Sequence, residues 1–295
     1  MVPEPSRLTL PDGRTLAYDD VGDPAGTPVV YLHGTPDSRL ARHPDDGRAA
    51  AAGVRLLAVD RPGAGGSSAH PGATLAAFGQ DLAALLDHLG LERAGVLAWS
   101  SGGLFALAAA PGLGARVPAL TLVGTVPPVE AYDDPEVVAA LSPARQHFVE
   151  LVAELPREEL AAEMAPYLVP DPLDPAVALD HVLEGTGPRG RAELDDVPGA
   201  AERLAAALVE AVAHGRDGLV HDLALVLEPG LPLDAVAADV RTVHGNDDGI
   251  SPPAVGRWLA ARLPRCAIEA VDGAHHLLFP RWDELLTDLA TRLRA

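Results

Sequence analysis

Hydrophobic residues form two kinds of pattern over the first 126 residues. Short, nearly continuous apolar runs predict strands buried on both faces, as in a parallel sheet; they lie at residues 28–32, 54–59, 94–98 and 117–123. Helical spacing of leucines at 74–89 and a small apolar stretch at 101–110 predict helices between them. A turn at 11–13 also predicts a hairpin of 7–10 with 14–18. Strand–helix alternation predicts a doubly wound α/β sheet.

The pattern changes after residue 126. Residues 127–235 contain no convincing buried strand and are too long for one loop. Helices are predicted at 135–154, 157–167, 175–183 and 200–214, with loops at 169–172 and 185–190. Alternation then resumes with a strand at 239–243, a helix at 253–263, a strand at 266–271 and a helix at 282–293. We therefore expect an α/β core formed by 1–126 and 236–295, interrupted by a helical cap at 127–235.

Composition narrows the class of protein. The chain has 295 residues, 48% of them hydrophobic, which is enough for a sizeable core. Its net charge is −20, and its cations are 22 arginines without any lysine. This acidity disfavours nucleic acid and anionic membranes as partners. We expect the partner to be a small-molecule substrate. The sequence predicts no particular oligomeric state.

Cysteine usage and hydropathy bear on the compartment. The single cysteine, Cys266, excludes an intrachain disulfide and a cysteine-based metal site. No apolar run approaches the ~20 residues of a membrane span. Residues 1–9 lack the apolar segment of a signal peptide. We therefore expect a cytoplasmic protein.

Ser100 lies between a predicted strand and a predicted helix. A serine exposed on such a turn needs small residues two positions before and two after it, and Ala98 and Gly102 provide them. Centring the motif on Ser101 would place Trp99 where a small residue is needed. The sequence here resembles the nucleophile elbow G-x-S-x-G of the α/β-hydrolase fold family, with alanine for the first glycine. The alternative is a polar turn that caps a helix.

Two further loops extend this resemblance. His33, Gly34 and Thr35 follow the strand at 28–32, where the family forms an oxyanion hole. The resemblance implies that the backbone N–H groups of Thr35 and Ser101 are its donors. His33, Gly34, Trp99 and Gly102 would then shape the site, with His33 as a structural hydrogen-bonding residue. The glycine-rich segment 60–67 resembles a family loop that forms a wall of the site, and no lysine follows it to make a phosphate-binding loop.

The remaining two catalytic positions are implied by loops after the last strands. Residues 245–252 resemble G-x-x-D-x-x-x-P, which selects Asp248, with Asp247 as the alternative. Residues 273–276 resemble G-x-G-H, with His275 in place of the second glycine. This alignment selects His276, with His275 as the alternative. The order serine, aspartate, histidine is that of the family.

The resemblance implies a serine hydrolase that needs no cofactor and no metal. It would cleave a carboxylic ester or lactone of a small to medium apolar substrate through an acyl-enzyme. Serine at the elbow disfavours the dehalogenases and epoxide hydrolases of this fold, which use aspartate.

Other activities of the same fold stay open at this point. They are C–C bond hydrolysis, aminopeptidase activity, and cofactor-independent oxygenase or lyase chemistry. An aminopeptidase would need a carboxylate nest for the substrate amine, for which the sequence offers Glu154, Glu158, Glu159 and Glu163. Their spacing more simply indicates a solvated helix face. A non-catalytic, ligand-binding relative is a further alternative.

Overall fold

A computed structural model describes residues 4–294 and contains one eight-stranded sheet. The strands are β1 (Ser6–Thr9), β2 (Thr15–Gly22), β3 (Thr27–Leu32), β4 (Val54–Val59), β5 (Gly95–Trp99), β6 (Ala119–Val123), β7 (Asp239–Gly245) and β8 (Cys266–Val271). Their order across the sheet is β1-β2-β4-β3-β5-β6-β7-β8. Strands β3 to β8 run parallel, whereas β1 and β2 form the antiparallel hairpin at one edge. The predicted α/β architecture is confirmed.

Helices cover both faces of this sheet and fill the long connection between β6 and β7. They are α1 (Gly47–Ala51), α2 (Phe78–His88), α3 (Gly102–Leu113), α4 (Pro135–Ala140), α5 (Pro143–Glu154), α6 (Arg157–Leu168), α7 (Pro175–Gly185), α8 (Pro188–Asp195), α9 (Ala200–Ala211), α10 (Asp217–Val226), α11 (Pro253–Ala260) and α12 (Trp282–Arg294). None of the helices within residues 4–294 is long and apolar enough to cross a membrane. Residues 1–3 of the expected N-terminal segment, and residue 295, lie outside the described part.

Alternating side chains of the central strands supply two hydrophobic layers. In β3, Val30 and Leu32 face the layer that also contains residues of α2, α3 and α11. Val29 and Tyr31 face the opposite layer, which is formed with α1 and α12. Every residue of β5 and β6 is buried, as expected for parallel strands covered on both faces. This double burial explains why the strands were readable as continuous apolar runs.

The segment between β6 and β7 departs from the predicted helices in two respects. The helix expected at 135–154 is divided into α4 and α5, because Ser142 precedes Pro143 and adopts an extended conformation. Helices α8 and α10 were not predicted, and α8 begins inside the expected loop at 185–190. The sequence of α8 is largely polar, so it has too few apolar residues for a helical period to be visible.

The packing of α12 provides a test of core stability. Leu286 is 0% exposed and lies in the layer between α12 and the sheet. We expect Leu286→Ala to lower the free energy of unfolding by about 2–5 kcal/mol, because it removes apolar contacts and leaves a cavity. Thr287→Ala, at an exposed position of the same helix, should change it by less than ~0.5 kcal/mol. Urea denaturation of both variants measures the difference, and equal effects would contradict this packing.

Candidate active site

Ser100 occupies a strained turn between β5 and α3. Its φ is 54°, and it is the only non-glycine residue with positive φ within residues 4–294. Such a conformation typically costs ~1–3 kcal/mol and persists only where surrounding structure enforces it. Here the backbone N–H of Ser100 donates to the Val123 carbonyl at 2.9 Å. The turn lifts the Ser100 side chain above the carboxyl edge of the sheet.

Close backbone approaches explain the small residues around this turn. A Cβ atom on Gly102 would lie 2.5 Å from the carbonyl oxygen of Leu32, so only glycine fits there. A Cβ atom on Gly34 would lie 3.0 Å from the Cβ of Ser100. At both positions, a side chain would press against neighbouring atoms beside Ser100.

A hydrogen-bonded relay connects Ser100 to two distant loops. The Ser100 Oγ lies 3.0 Å from the Nε2 of His275. The Nδ1 of the same ring lies 2.8 Å from Oδ2 of Asp248. A proton on Nδ1 therefore donates to the carboxylate, which leaves Nε2 to accept the Ser100 hydroxyl proton. This is the arrangement that makes a serine hydroxyl nucleophilic.

Asp248 is a buried carboxylate with its oxygens fully engaged. Its Oδ1 accepts the backbone N–H groups of Ile250 and Ser251, each at 2.9 Å. Burial alone raises the pKa of Asp248, but His275 and these backbone donors outweigh burial and hold that pKa below its ordinary value. Asp247, the alternative, is exposed on the same loop. The structure thus brings the predicted aspartate into the relay.

The choice of His276 over His275 is wrong as a prediction of geometry. Within residues 4–294, the His276 ring forms no hydrogen bond to Ser100 or Asp248, whereas the His275 ring bonds to both. Burial lowers the pKa of His276 to about 3. Its ring packs beside Trp99, with 5.8 Å between ring centroids. The signal was present in the sequence: Ala274 fills the small position before the histidine, just as Ala98 fills the first position of the elbow. The alignment that selects His276 accepts alanine for glycine at the elbow but not before the histidine. Accepting alanine at both positions selects His275.

The histidine loop is held by contacts that the sequence did not reveal. Trp99 donates its indole N–H to the carbonyl of His275 at 2.9 Å, so Trp99 packs beneath the loop. From α8, Glu193 accepts the backbone N–H of Ala274 at 2.5 Å. Glu193 is buried although it belongs to a polar helix. These two contacts fix the loop from the sheet side and from the helical segment.

A buried arginine network supports the loop of Thr35. Arg61 donates to the carbonyl of Gly34 at 3.0 Å and to the Thr35 hydroxyl at 2.7 Å, and it also contacts the His33 carbonyl. Asp222 on α10 pairs with Arg61 at 2.7 Å. The Thr35 Oγ1 also lies 2.7 Å from the Ser101 Oγ. Neither Arg61 nor Asp222 was singled out from the sequence, because their partners are separated along the chain.

His33 is hydrogen-bonded within the core at the base of the Thr35 loop. The His33 ring is fully buried, and its Nδ1 donates to the Gly34 carbonyl at 2.8 Å. Its Nε2 accepts the backbone N–H of Arg61 at 3.2 Å. Burial, reinforced by Arg61, lowers the pKa of His33 well below 6.5. The ring is therefore neutral and holds the base of the loop.

The glycine-rich loop after β4 is likewise structural. The buried carboxylate of Asp60 accepts the backbone N–H groups of Arg39 at 2.7 Å and of Gly66 at 2.9 Å. A Cβ atom on Gly65, whose φ is 52°, would collide with that carboxylate. The loop thus wraps an internal anion instead of presenting its N–H groups to a phosphate.

Two cavities meet at Ser100 and share Thr35, Ser100, Arg145 and Leu168 in their walls. The first has a volume of about 270 Å³ and is mainly apolar, with walls that include Val126, Phe148, Leu160, Met164, Leu223 and Val226. The second has a volume of about 200 Å³ and is more polar, with Asp37, His181, His275 and His276 in its walls. Ser100 therefore faces an apolar lobe and a polar lobe.

Other ionisable groups near Ser100 and in the helical segment bear on whether the site could bind an amine or a metal ion. The carboxylate nest considered for an aminopeptidase is not formed, because Glu154, Glu158, Glu159 and Glu163 are all exposed. Asp37 instead places a carboxyl in the polar lobe, and burial raises its pKa from 3.8 to about 7. Among residues 4–294, no group of three or more His, Cys, Asp or Glu side chains is arranged to hold a metal ion.

Comparison with known proteins identifies the family of this chain. A family model described as alpha/beta hydrolase fold matches residues 27–281. The chain belongs to the alpha/beta hydrolase fold family. The match includes all three relay residues and the whole helical segment between β6 and β7.

Individual relatives of this alpha/beta hydrolase include esterases and other enzymes. A pimeloyl-[acyl-carrier protein] methyl ester esterase from Aromatoleum aromaticum is 31% identical over 77% of this chain and 82% of its own length. The dihydrolipoyllysine-residue acetyltransferase component of an acetoin cleaving system from Pseudomonas putida is 28% identical over 94% of this chain. The chain spans 65% of that relative's length.

Solved structures show the same fold. The enol-lactonase from Burkholderia xenovorans superimposes with a TM-score of 0.71 at 19% identity, covering 98% of this chain and 100% of that one. A likeness at this identity bears on the fold of the alpha/beta hydrolase and not on its substrate.

The two histidines can be distinguished by a serine-directed probe. We expect His275→Ala to slow fluorophosphonate labelling of Ser100 by about 10³-fold or more, because the hydroxyl loses its proton acceptor. His276→Ala should slow labelling far less, since its ring does not contact Ser100. Labelling rates followed by intact-protein mass spectrometry provide the measurement. A larger loss in His276→Ala would contradict the observed relay.

The raised pKa of Asp37 predicts that the stability of the folded protein depends on pH. Its pKa is raised from 3.8 to about 7 in the folded protein. The folded state therefore binds this proton more tightly than the unfolded state, and stability is lost as pH rises between those values. We expect Asp37→Asn to raise the free energy of unfolding more at about pH 8 than at about pH 5. Urea denaturation at both pH values tests this, with Asp247→Asn accounting for removal of one surface charge.

Proposed function

We propose that this alpha/beta hydrolase is a serine hydrolase that cleaves carboxylic esters or lactones through an acyl-enzyme. Ser100 is the nucleophile, His275 is the general base and acid, and Asp248 orients the imidazole. The observation that carries the proposal is the relay itself, with 3.0 Å from Ser100 Oγ to Nε2 and 2.8 Å from Nδ1 to the Asp248 carboxylate. Both distances lie within the range for proton transfer and hydrogen bonding.

The reaction follows from these contacts. Ser100 Oγ attacks the carbonyl carbon while its proton passes to Nε2 of His275. When the ester C–O bond breaks, the protonated ring returns that proton to the leaving alkoxide, and the acyl group stays on Ser100. Water then attacks the acyl carbon and gives a proton to Nε2, and the acid leaves as the Ser100 hydroxyl is restored. Asp248 stabilises the imidazolium formed in both steps.

We propose that the backbone N–H groups of Thr35 and Ser101 form the oxyanion hole. Both residues line the cavity at Ser100. Neither N–H group donates to another group within residues 4–294. Arg61 supports this assignment, because its bonds to the Gly34 carbonyl and the Thr35 hydroxyl keep the loop rigid. Donors that are fixed before the reaction need no reorganisation in the transition state.

The helical segment at 127–235 would serve as a cap over the substrate. Its helices α5, α6 and α10 provide most of the apolar wall of the 270 Å³ lobe. Such a lobe suits a small to medium apolar acyl or alcohol part. The esterase relative, at 31% identity over most of both chains, supports ester hydrolysis over the other reactions of this fold.

Substitution of the nucleophile tests the proposal. We expect Ser100→Ala to reduce kcat for short acyl esters and lactones by about 10⁴-fold or more, because within residues 4–294 only the Ser100 hydroxyl is hydrogen-bonded to His275. Ser101→Ala should lose far less, since its proposed catalytic donor is a backbone N–H. A panel of aryl esters, lactones and aminoacyl arylamides assayed with both variants provides the measurement. Full esterase activity in Ser100→Ala would overturn the proposal.

A further inference from the structure

Arg145 places a guanidinium in both lobes of the cavity at Ser100. It lies in the first turn of α5, and the walls of the apolar and the polar lobe both include it. Its Cζ lies 5.7 Å from the ring centroid of Phe148, one turn further along α5. This stacking on Phe148 keeps the side chain against the cavity wall.

This guanidinium has no anionic partner within residues 4–294. The arginines that are buried elsewhere, such as Arg39 and Arg61, each pair with a carboxylate within 3 Å. Arg145 forms no hydrogen bond or ion pair to another described side chain, and its contact is with the Phe148 ring. The other arginines without an anionic partner within residues 4–294 are all exposed, and they are Arg7, Arg93, Arg262, Arg265 and Arg294. An unpaired cation inside a cavity is unusual in a chain of net charge −20.

The surroundings of Arg145 leave its charge available to a ligand. Burial lowers the pKa of Arg145 from 12.5, against the opposing effects of Tyr132 and Asp248, yet a guanidinium remains protonated at neutral pH. The Asp248 carboxylate is already engaged by His275 and two backbone N–H groups. The first turn of α5 also borders the apolar lobe and contains no acidic residue, so the positive end of the helix dipole adds to the potential there.

The other ionisable groups of the two lobes are compatible with an anion. Asp37 is the carboxyl in the wall of the polar lobe, and burial raises its pKa to about 7. It is therefore about half protonated near pH 7 and largely neutral about one pH unit lower. His181 donates its Nε2 proton to the Leu168 carbonyl at 3.0 Å. His276 is neutral, because burial lowers its pKa to about 3.

We propose that Arg145 binds a carboxylate carried by the ester substrate, so that the preferred substrates are anionic esters with an apolar chain. The guanidinium forms a bidentate pair with the carboxylate, the scissile carbonyl lies at Ser100, and the chain occupies the apolar lobe. This inference rests on the proposed hydrolase function and adds the substrate class to it. Neutral esters still fit the site but lack the charged contact.

Matched esters test the proposal with the full-length protein. Monoethyl adipate and ethyl hexanoate differ by a carboxylate on the acyl side, and O-hexanoyl glycolate places the carboxylate on the alcohol side. We expect the wild-type protein to prefer at least one anionic ester over ethyl hexanoate. Arg145→Gln should lower kcat/KM for that ester by about 10- to 100-fold relative to ethyl hexanoate, mainly through KM. Arg145→Lys should restore part of the preference.

The matched control is Arg157→Gln. Arg157 lies on the neighbouring helix α6, is 41% exposed, and pairs with Glu158. The Arg157→Gln substitution removes the same charge outside the cavity and should leave the preference for the anionic ester in place. An equal loss in both arginine variants, or an equal loss for anionic and neutral esters in Arg145→Gln, would overturn the role of Arg145. Ser100-dependent hydrolysis in the same assays would leave the proposed function standing.

A binding measurement separates the two proposals. Ser100→Ala cannot turn over, so calorimetry can compare its affinity for monoethyl adipate and for diethyl adipate. Tighter binding of the monoester that is lost in the Ser100→Ala, Arg145→Gln double variant supports the carboxylate site even if no ester is hydrolysed. Equal affinity for monoester and diester at neutral pH overturns it.

Discussion

The left-handed backbone at Ser100 is the constraint on which the site depends. A serine with φ of 54° is unfavourable by itself, and it is held because β5 is bonded to β3 and β6 on both sides. The chain must turn into α3 within a single residue, which leaves no room for side chains at Gly102 or bulk at Gly34. The stability of the sheet thus maintains a local conformation that exposes the Ser100 hydroxyl.

Parallel strands bring the other relay groups to the same edge. The register of β7 with β8 places Gly245 opposite Val271, so the loops that carry Asp248 and His275 leave the sheet at one level. Parallel pairing of β5, β6, β7 and β8 aligns their carboxyl ends. A hydroxyl, an imidazole and a carboxylate from distant segments therefore meet within hydrogen-bond distance. The helical segment adds to this through Glu193 and Asp222, which anchor the histidine loop and the Thr35 loop.

Charge is distributed unevenly around this edge. Asp248 and Asp60 are buried carboxylates whose oxygens accept several N–H groups, so each negative charge is compensated locally. Arg145 is the opposite case, a cation in the cavity wall without a carboxylate partner within residues 4–294. In an acidic protein, Arg145 thus places a positive charge in the walls of both lobes at Ser100. With the proposed carboxylate contact at Arg145, the site would select among substrates by charge as well as by apolar size.

The sequence by itself determined the α/β order, which follows from local periodicity. Its resemblance to family motifs selected Ser100 and Asp248, because those motifs are short and local. Only the tertiary structure decided between His275 and His276, because the sequence allows an alignment for each and only the His275 ring is hydrogen-bonded to Ser100. It alone revealed Arg61, Asp222 and Glu193, whose partners are far away along the chain. Helices α8 and α10 were missed for a related reason: contacts with the rest of the fold stabilise them, and neither shows a strong helical period of its own.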